Sequence, residues 1–147
     1  MKVRMKVKIK LINDSLPVPG YQTSDSAAFD LYSRLDVEIL PKAVFLVPLN
    51  VILQIPKNHW VLMAARSSLH KKGLMLINGI GVGDYDYQGE NDEYHAALFN
   101  FSDQTVKLKK GDRLVQAIVL PREKVEFSKI DVIAENDKSR GGFGSTG

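Results

Sequence analysis

V-K-L-K-K-G-D-R-L-V-Q-A-I-V-L-P, residues 106–121, holds in one stretch the pattern that recurs along the whole chain. Val106, Lys107 and Leu108 alternate apolar and polar, the two-residue period of a half-buried strand. Lys110, Gly111 and Asp112 punctuate as a turn. Residues 113–120 then run on as a largely apolar strand that Pro121 stops, because proline has no N–H to give to a ladder. Strand, tight turn, strand is a β reading, and nothing in it repeats at the helical 3.6.

Working outward, the same grammar continues on both sides. Upstream, residues 94–101 read as a strand closed by the turn at 102–105, and 60–65 and 74–77 as two more. Residues 44–55 are strongly β-prone, with Pro48 marking a bend or an edge position. Shorter strands are expected at 37–40, stopped by Pro41, and at 28–32. The start is the strictest: Val3, Met5, Val7, Ile9 and Leu11 are apolar, with Lys2, Arg4, Lys6, Lys8 and Lys10 between them. Downstream, 125–127 and 130–132 read as further short strands. No segment sustains a helical apolar period, and no repeat or second domain is evident. Many short strands separated by turn signals predict an all-β, jelly-roll-like β-barrel over residues 1–133. Residues 134–147 turn polar and then glycine-rich, too poor in apolar surface to fold alone, and are expected to form a flexible C-terminal arm.

Composition bounds the function classes. A chain of 147 residues can bury a sizeable core without metal or disulfide staples. It has no cysteine, which excludes disulfide frameworks and thiolate zinc sites and makes a cytoplasmic setting the expectation. Twenty Lys and Arg against 17 Asp and Glu give a net charge of +3, enough to favour a small polyanion but too little for direct nucleic-acid binding. No apolar run is long enough for a membrane span. The basic start lacks the continuous apolar core of a signal peptide.

One stretch reads as a site: N-G-I-G-V-G-D-Y-D-Y-Q-G-E, residues 78–90. Gly79, Gly81 and Gly83 can take positive φ and let a ligand approach the main chain. Ile80 and Val82 alternate with them, as in an extended hairpin arm. Asp84 is presented by the turn that follows, and Tyr87 offers a flat ring with a polar tip, suited to packing on a sugar or base. An acidic calcium loop is the sharpest rival for Asp84, Asp86, Glu90 and Asp92, but His95 stands where a bidentate glutamate is needed. His59, His70 and His95 lack metal-ligand spacing, and no nucleophile elbow surrounds Ser67 or Ser68.

Five stretches in order resemble the trimeric deoxyuridine triphosphatase (dUTPase) family, closest to its Bacillus- and phage-like subset. They are A-A-F-D-L-Y-S at 27–33, A-R-S-S-L at 65–69, the glycine stretch at 78–90, G-D-R-L-V-Q at 111–116 and R-G-G-F-G-S-T-G at 140–147. Any one is weak, and five in order form a specific signal. The resemblance implies hydrolysis of dUTP to dUMP and pyrophosphate with Mg²⁺ held mainly through substrate phosphates and water. It also implies a homotrimer with sites at the subunit interfaces. Asp84 would hold and activate the attacking water. Arg66, Ser67 and Ser68 would contact phosphate, joined by Gln116 from a neighbouring subunit. Asn78 and the main chain of Gly81, Val82 and Gly83 would read the uracil edge. Tyr87 would pack on the deoxyribose, and Asp30 would support the site from below. Arg140, Phe143, Gly144, Ser145 and Thr146 of the arm would close over a neighbour's nucleotide.

The chain also departs from the family's pattern. Arg140 directly precedes Gly141, which makes it the outer-phosphate residue, with Lys138 the fallback. Gly83 replaces a bulky aliphatic, and Ala28 and Ala65 stand where Gly and Pro are commoner. The segment after Gly89 is longer than usual, and no residue is assigned to complete the uracil pocket. Two other classes stay open: a dCTP deaminase or bifunctional deaminase, which needs an extra glutamate proton shuttle, and a nucleotide-sensing regulatory binder. No motif names a regulatory protein partner.

Overall fold

A computed structural model of the chain describes residues 4–133 and 139–145. It is an all-β fold of eleven antiparallel-paired strands. In chain order they are Lys8–Leu11 (β1), Phe29–Tyr32 (β2), Val37–Ile39 (β3), Val44–Pro48 (β4), Val51–Gln54 (β5), His59–Ala65 (β6), Leu74–Leu76 (β7), Gly81–Gly83 (β8), His95–Asn100 (β9), Val106–Leu108 (β10) and Arg113–Pro121 (β11). They form a four-stranded sheet ordered β2-β11-β6-β8, a three-stranded sheet β4-β9-β7, and the pairs β1-β5 and β10-β3. Among the described residues no helix is long and apolar enough to cross a membrane.

The stretch at 106–121 folds as its pattern predicts, and β11 becomes the middle of the largest sheet. It pairs β2 on one side and β6 on the other, from Val115↔Ala65 to Pro121↔His59. Pro121 is tolerated because it is the last residue of the strand. Alternation sets which side chains go inward: Ala96 and Leu98 of β9 and Val61 and Met63 of β6 join Leu31, Leu74, Leu114 and Val115 in one core. Asn100, fully buried, takes the next inward place on β9. Its Nδ2 donates to the carbonyls of Ile39 and Gln104 at 2.9 and 2.7 Å, and its Oδ1 accepts from the amide and hydroxyl of Ser102 at 3.0 and 2.7 Å.

Several expected elements differ. The run at 44–55 is two strands, broken where Asn50 takes a left-handed φ of 71°. Pro48 closes β4, an edge strand, as a proline there should. Among the described residues the N-terminal alternation is a strand only from Lys8, because its partner β5 is four residues long; Lys2 and Val3 lie outside the described residues. The strands expected at 125–127 and 130–132 do not form: the segment pairs with no strand among the described residues, and Phe127 stands 93% exposed. A short 3₁₀ turn at Leu69–Lys72, closed by Gly73 at φ 78°, was not foreseen, since four residues carry no period to read.

Asn100→Ala strips partners from two carbonyls and an amide near the core, and is expected to cost about 2–4 kcal/mol, the scale of buried groups left unpaired. Urea unfolding measures it, and a loss within experimental error of zero would contradict this account.

Candidate active site

The glycine stretch is built onto the edge of the four-stranded sheet, with Gly83 opposite Val61 and Gly81 opposite Met63. Of its first three glycines only Gly79 has a left-handed φ, 73°. The positive φ expected for Gly81 and Gly83 is therefore corrected, since both sit in an extended strand. What they supply is the lack of a side chain. A Cβ at Gly81 would lie 2.9 Å from the Met63 methyl carbon, and one at Gly83 2.9 Å from ring atoms of Tyr94.

After β8 the chain turns at Asp84, whose carbonyl accepts from the Tyr87 amide at 3.1 Å. Tyr87 is pinned twice: its hydroxyl donates to the Glu93 carbonyl at 2.8 Å, and its ring meets Tyr94 edge-on at a centroid distance of 5.5 Å. Glu93 is itself fixed, because its carboxylate takes both Arg34 Nε at 2.6 Å and Nη2 at 3.1 Å, and accepts the Asn50 amide at 3.0 Å. The result is a cleft of about 260 Å³ bordered by Asn78, Gly81, Val82, Gly83, Asp84 and Tyr87, with Met63, Tyr94 and His95 completing it. Asp84 also borders a neighbouring hollow with His59, Trp60, Asp86 and Arg122, so its exposed carboxylate stands on the rim between two depressions.

Burial raises the pKa of the Tyr87 hydroxyl, with the charges of Asp92 and Glu93 adding to it. The Tyr94 hydroxyl is pushed up to about 12, by burial first and then by Tyr87 and Asp84. A folded value above the unfolded one means that this contribution to stability is whole below pH ~10 and is lost as pH rises toward the folded value.

A second cluster lies at the far end of β6. Asp30 on β2, 5% exposed, holds Arg66 Nε on Oδ1 and Arg113 Nη1 on Oδ2, each at 3.2 Å. Gln116 is in register with Asp30, and its side-chain amide donates to the Ala65 carbonyl at 3.0 Å. Ser67 is exposed, and Ser68 precedes the 3₁₀ turn with no capping bond from its side chain. Arg66 is thus presented from below by a buried carboxylate, beside two serines that border solvent.

The two clusters do not meet within one chain. Gly83 pairs Val61, and Arg66 is five residues further along the strand, roughly 17 Å away at the strand rise. Among its described residues the arm joins neither: Phe143 is wholly exposed, and the Ser145 amide donates to the Gly142 carbonyl at 3.0 Å. Lys138 and Thr146 lie outside the described residues. Among the described residues no three acidic or histidine side chains are grouped to hold a metal ion. Sequence reasoning missed Tyr94, Glu93, Arg34 and Arg113. Only Tyr94 left a trace there, because a missing bulky side chain at Gly83 requires some other group to fill the space.

A family model described as dUTPase matches residues 14–147. The deoxyuridine 5'-triphosphate nucleotidohydrolase of Nautilia profundicola is 35% identical over 144 residues, covering 97% of this chain and 99% of that protein. A dUTPase from Streptococcus mutans superposes with a TM-score of 0.74 at 33% identity, over 81% of this chain and 98% of that one. A dUTPase of Staphylococcus bacteriophage 80alpha, solved with dUPNHPP, shares the fold with a TM-score of 0.83 at 19% identity, over 97% of this chain and 98% of its own.

Asp30→Ala leaves two guanidinium groups without their shared partner. Both keep some contact with water, so the loss is expected near the low end for a buried ion pair, about 2–3 kcal/mol. Chemical denaturation of the variant against wild type reads it, and equal midpoints would remove Asp30 from its supporting role.

Proposed function

The chain belongs to the dUTPase family and is a dUTP diphosphatase, and on that premise we propose how its residues divide the work. The nucleotide lies along the hairpin, with uracil read by Asn78 and by main-chain groups of Gly81, Val82 and Gly83, where the missing side chains permit close approach. Tyr87, held rigid by Glu93 and Tyr94, packs on the deoxyribose and leaves no room for a 2′-hydroxyl. Asp84 orients a water behind the α-phosphorus and takes its proton. Arg66, Ser67, Ser68 and Gln116 receive phosphate oxygens, a guanidinium fork and hydroxyls being suited to oxyanions. Mg²⁺, a hard cation that keeps several waters, would be held mainly through substrate phosphates and water and would supply positive charge beside the triphosphate.

One observation carries the arrangement: the base-and-sugar cleft and the phosphate cluster lie too far apart in one subunit to grip the same α-phosphate. A site made between neighbouring copies resolves this, and a homotrimer is the assembly proposed. Two further features favour it. Val44, Leu46 and Met75 leave the outer face of the three-stranded sheet apolar and exposed, and residues 123–133 pair with no strand among the described residues, with Val125, Phe127, Ile130 and Val132 in solvent. The arm of Arg140, Phe143, Gly144 and Ser145 then closes over a neighbour's nucleotide, its aromatic on the base and its main chain on the outer phosphates. The reaction removes dUTP from the deoxynucleotide pool, supplies dUMP and keeps uracil out of DNA, in keeping with a cytoplasmic setting.

Pyrophosphate release measured on dUTP, dTTP, dCTP and UTP tests the reading. dUTP is expected to dominate and dCTP to yield no ammonia. Asp84→Asn is expected to lower kcat by roughly 10²- to 10⁴-fold, as for loss of a general base, and near-normal turnover would remove it from that role. Mixing Asp84→Asn subunits with Arg66→Ala subunits should restore activity that neither variant has alone, because some mixed sites draw both residues intact. No recovery after verified subunit exchange would refute the shared site.

A further inference from the structure

Residues 83 and 94 share one side-chain volume. At Gly83 the strand faces inward with no side chain, and the Tyr94 ring occupies that place: a Cβ at Gly83 would lie 2.9 Å from two ring carbons and closer still to the hydroxyl oxygen. The ring has little freedom. Tyr94 is 5% exposed, its amide donates to the Val51 carbonyl and its carbonyl accepts from the Leu49 amide, both at 2.9 Å. Glu93 just before it is held by Arg34 and Asn50, and Tyr87 packs against it edge-on.

That rigid ring carries a hydroxyl which is buried and has no hydrogen-bond partner among the described residues. A phenylalanine would fill the same space without burying an unpaired polar atom, so packing does not explain the oxygen. Its position does. It lies beneath the cleft whose border includes Asp84 and Tyr87. Its raised pKa of about 12 keeps the proton on, which makes it a donor and not a base near neutral pH. The titratable groups around this corner are Asp84 and Tyr87 from the hairpin, Asp92 and Glu93 from the following turn, and His95 on β9. His59, Asp86 and Arg122 face Asp84 from its other side.

We propose that Tyr94 is a positioning residue for the reaction, its phenol replacing a residue-83 side chain under the cleft and its hydroxyl donating to the Asp84 carboxylate once nucleotide occupies the site. The inference rests on Asp84 being the base. A neutral donor favours the charged form of a carboxylate and lowers its pKa. It also fixes which oxygen faces the water. The donor is built into the fold at a cost in stability, as functional sites commonly are.

Tyr94→Phe separates this from a packing role. The variant is expected to melt at the wild-type temperature or above, since it loses an unpaired buried hydroxyl. Its kcat on dUTP should fall by roughly tenfold or more, the scale of one hydrogen bond to a charged group, while KM stays within about twofold. The acid limb of its kcat–pH profile should move to higher pH, because the Asp84 carboxylate loses a donor. Gly83→Ala should produce the same displaced limb by evicting the phenol. Adding Tyr94→Leu to it should recover the melting temperature and leave the limb displaced. A folded Tyr94→Phe enzyme with wild-type kcat and an unmoved limb overturns the proposal, as does a Gly83→Ala enzyme indistinguishable from wild type. Asp84→Asn assayed alongside tells the two failures apart. If it abolishes turnover while Tyr94→Phe changes nothing, only the role of Tyr94 falls; if it turns over normally, the base assignment falls and Tyr94 with it.

Discussion

The pairing of β6 with β11 is the constraint on which the site depends. Seven consecutive register pairs, from Val115↔Ala65 to Pro121↔His59, lock two strands whose other edges hold β8 and β2. β6 is thereby a ruler. One of its ends leads to Arg66 in the Asp30 cluster, and its middle carries the glycine hairpin through Val61 and Met63. A slip of one residue in that ladder would turn every inward side chain outward and move the hairpin with it. The buried residues Val61, Met63, Val115 and Ala117 oppose such a slip, because each would leave the core.

Two buried carboxylates convert that frame into positioned chemistry. Asp30 gathers Arg66 and Arg113 from different strands, and Glu93 gathers Arg34 and the Asn50 amide while its carbonyl receives the Tyr87 hydroxyl. Neither ion pair is strong grounds for stability alone, since desolvation offsets much of the attraction. Their value is geometric: each leaves one orientation of a long or planar side chain favoured over the rest. Phosphate and sugar contacts both need that restriction, because a freely rotating arginine or tyrosine loses conformational entropy when ligand binds.

The proposed division of the site between subunits would follow from strand geometry and would link assembly to catalysis. A triphosphate that must touch both Asp84 and Arg66 finds them far apart in a single chain. The exposed apolar face around Leu46 and Met75, and the exposed apolar side chains of the stretch at 123–133, are surfaces a lone subunit has no physical reason to carry. Gly83 and Tyr94 add a local counterpart. There a gap in one strand is filled from the next, and the filling group brings an oxygen to the floor of the cleft.

What the sequence determined by itself was the material that local rules govern. The two-residue period and the turn residues of 106–121 decided that the fold is β, and the ordered short stretches decided the family. The identities of Asp84, Tyr87, Arg66 and Gln116 as candidate residues could be read from the same stretches. Tertiary structure decided everything that depends on which strands become neighbours. Asn50 at positive φ breaks a run that reads as continuous, because its side chain and amide are claimed by Asn13 and Glu93 from distant parts of the chain. Residues 125–127 alternate like a strand and form none, because a strand needs an edge to pair with and the fold brings none beside them among the described residues. Gly83 reads as a place for positive φ and close ligand approach and is a socket, since only the fold brings Tyr94 across to fill it. Hydrophobic period and turn chemistry are encoded residue by residue, whereas register and cross-strand packing exist only once separate segments meet.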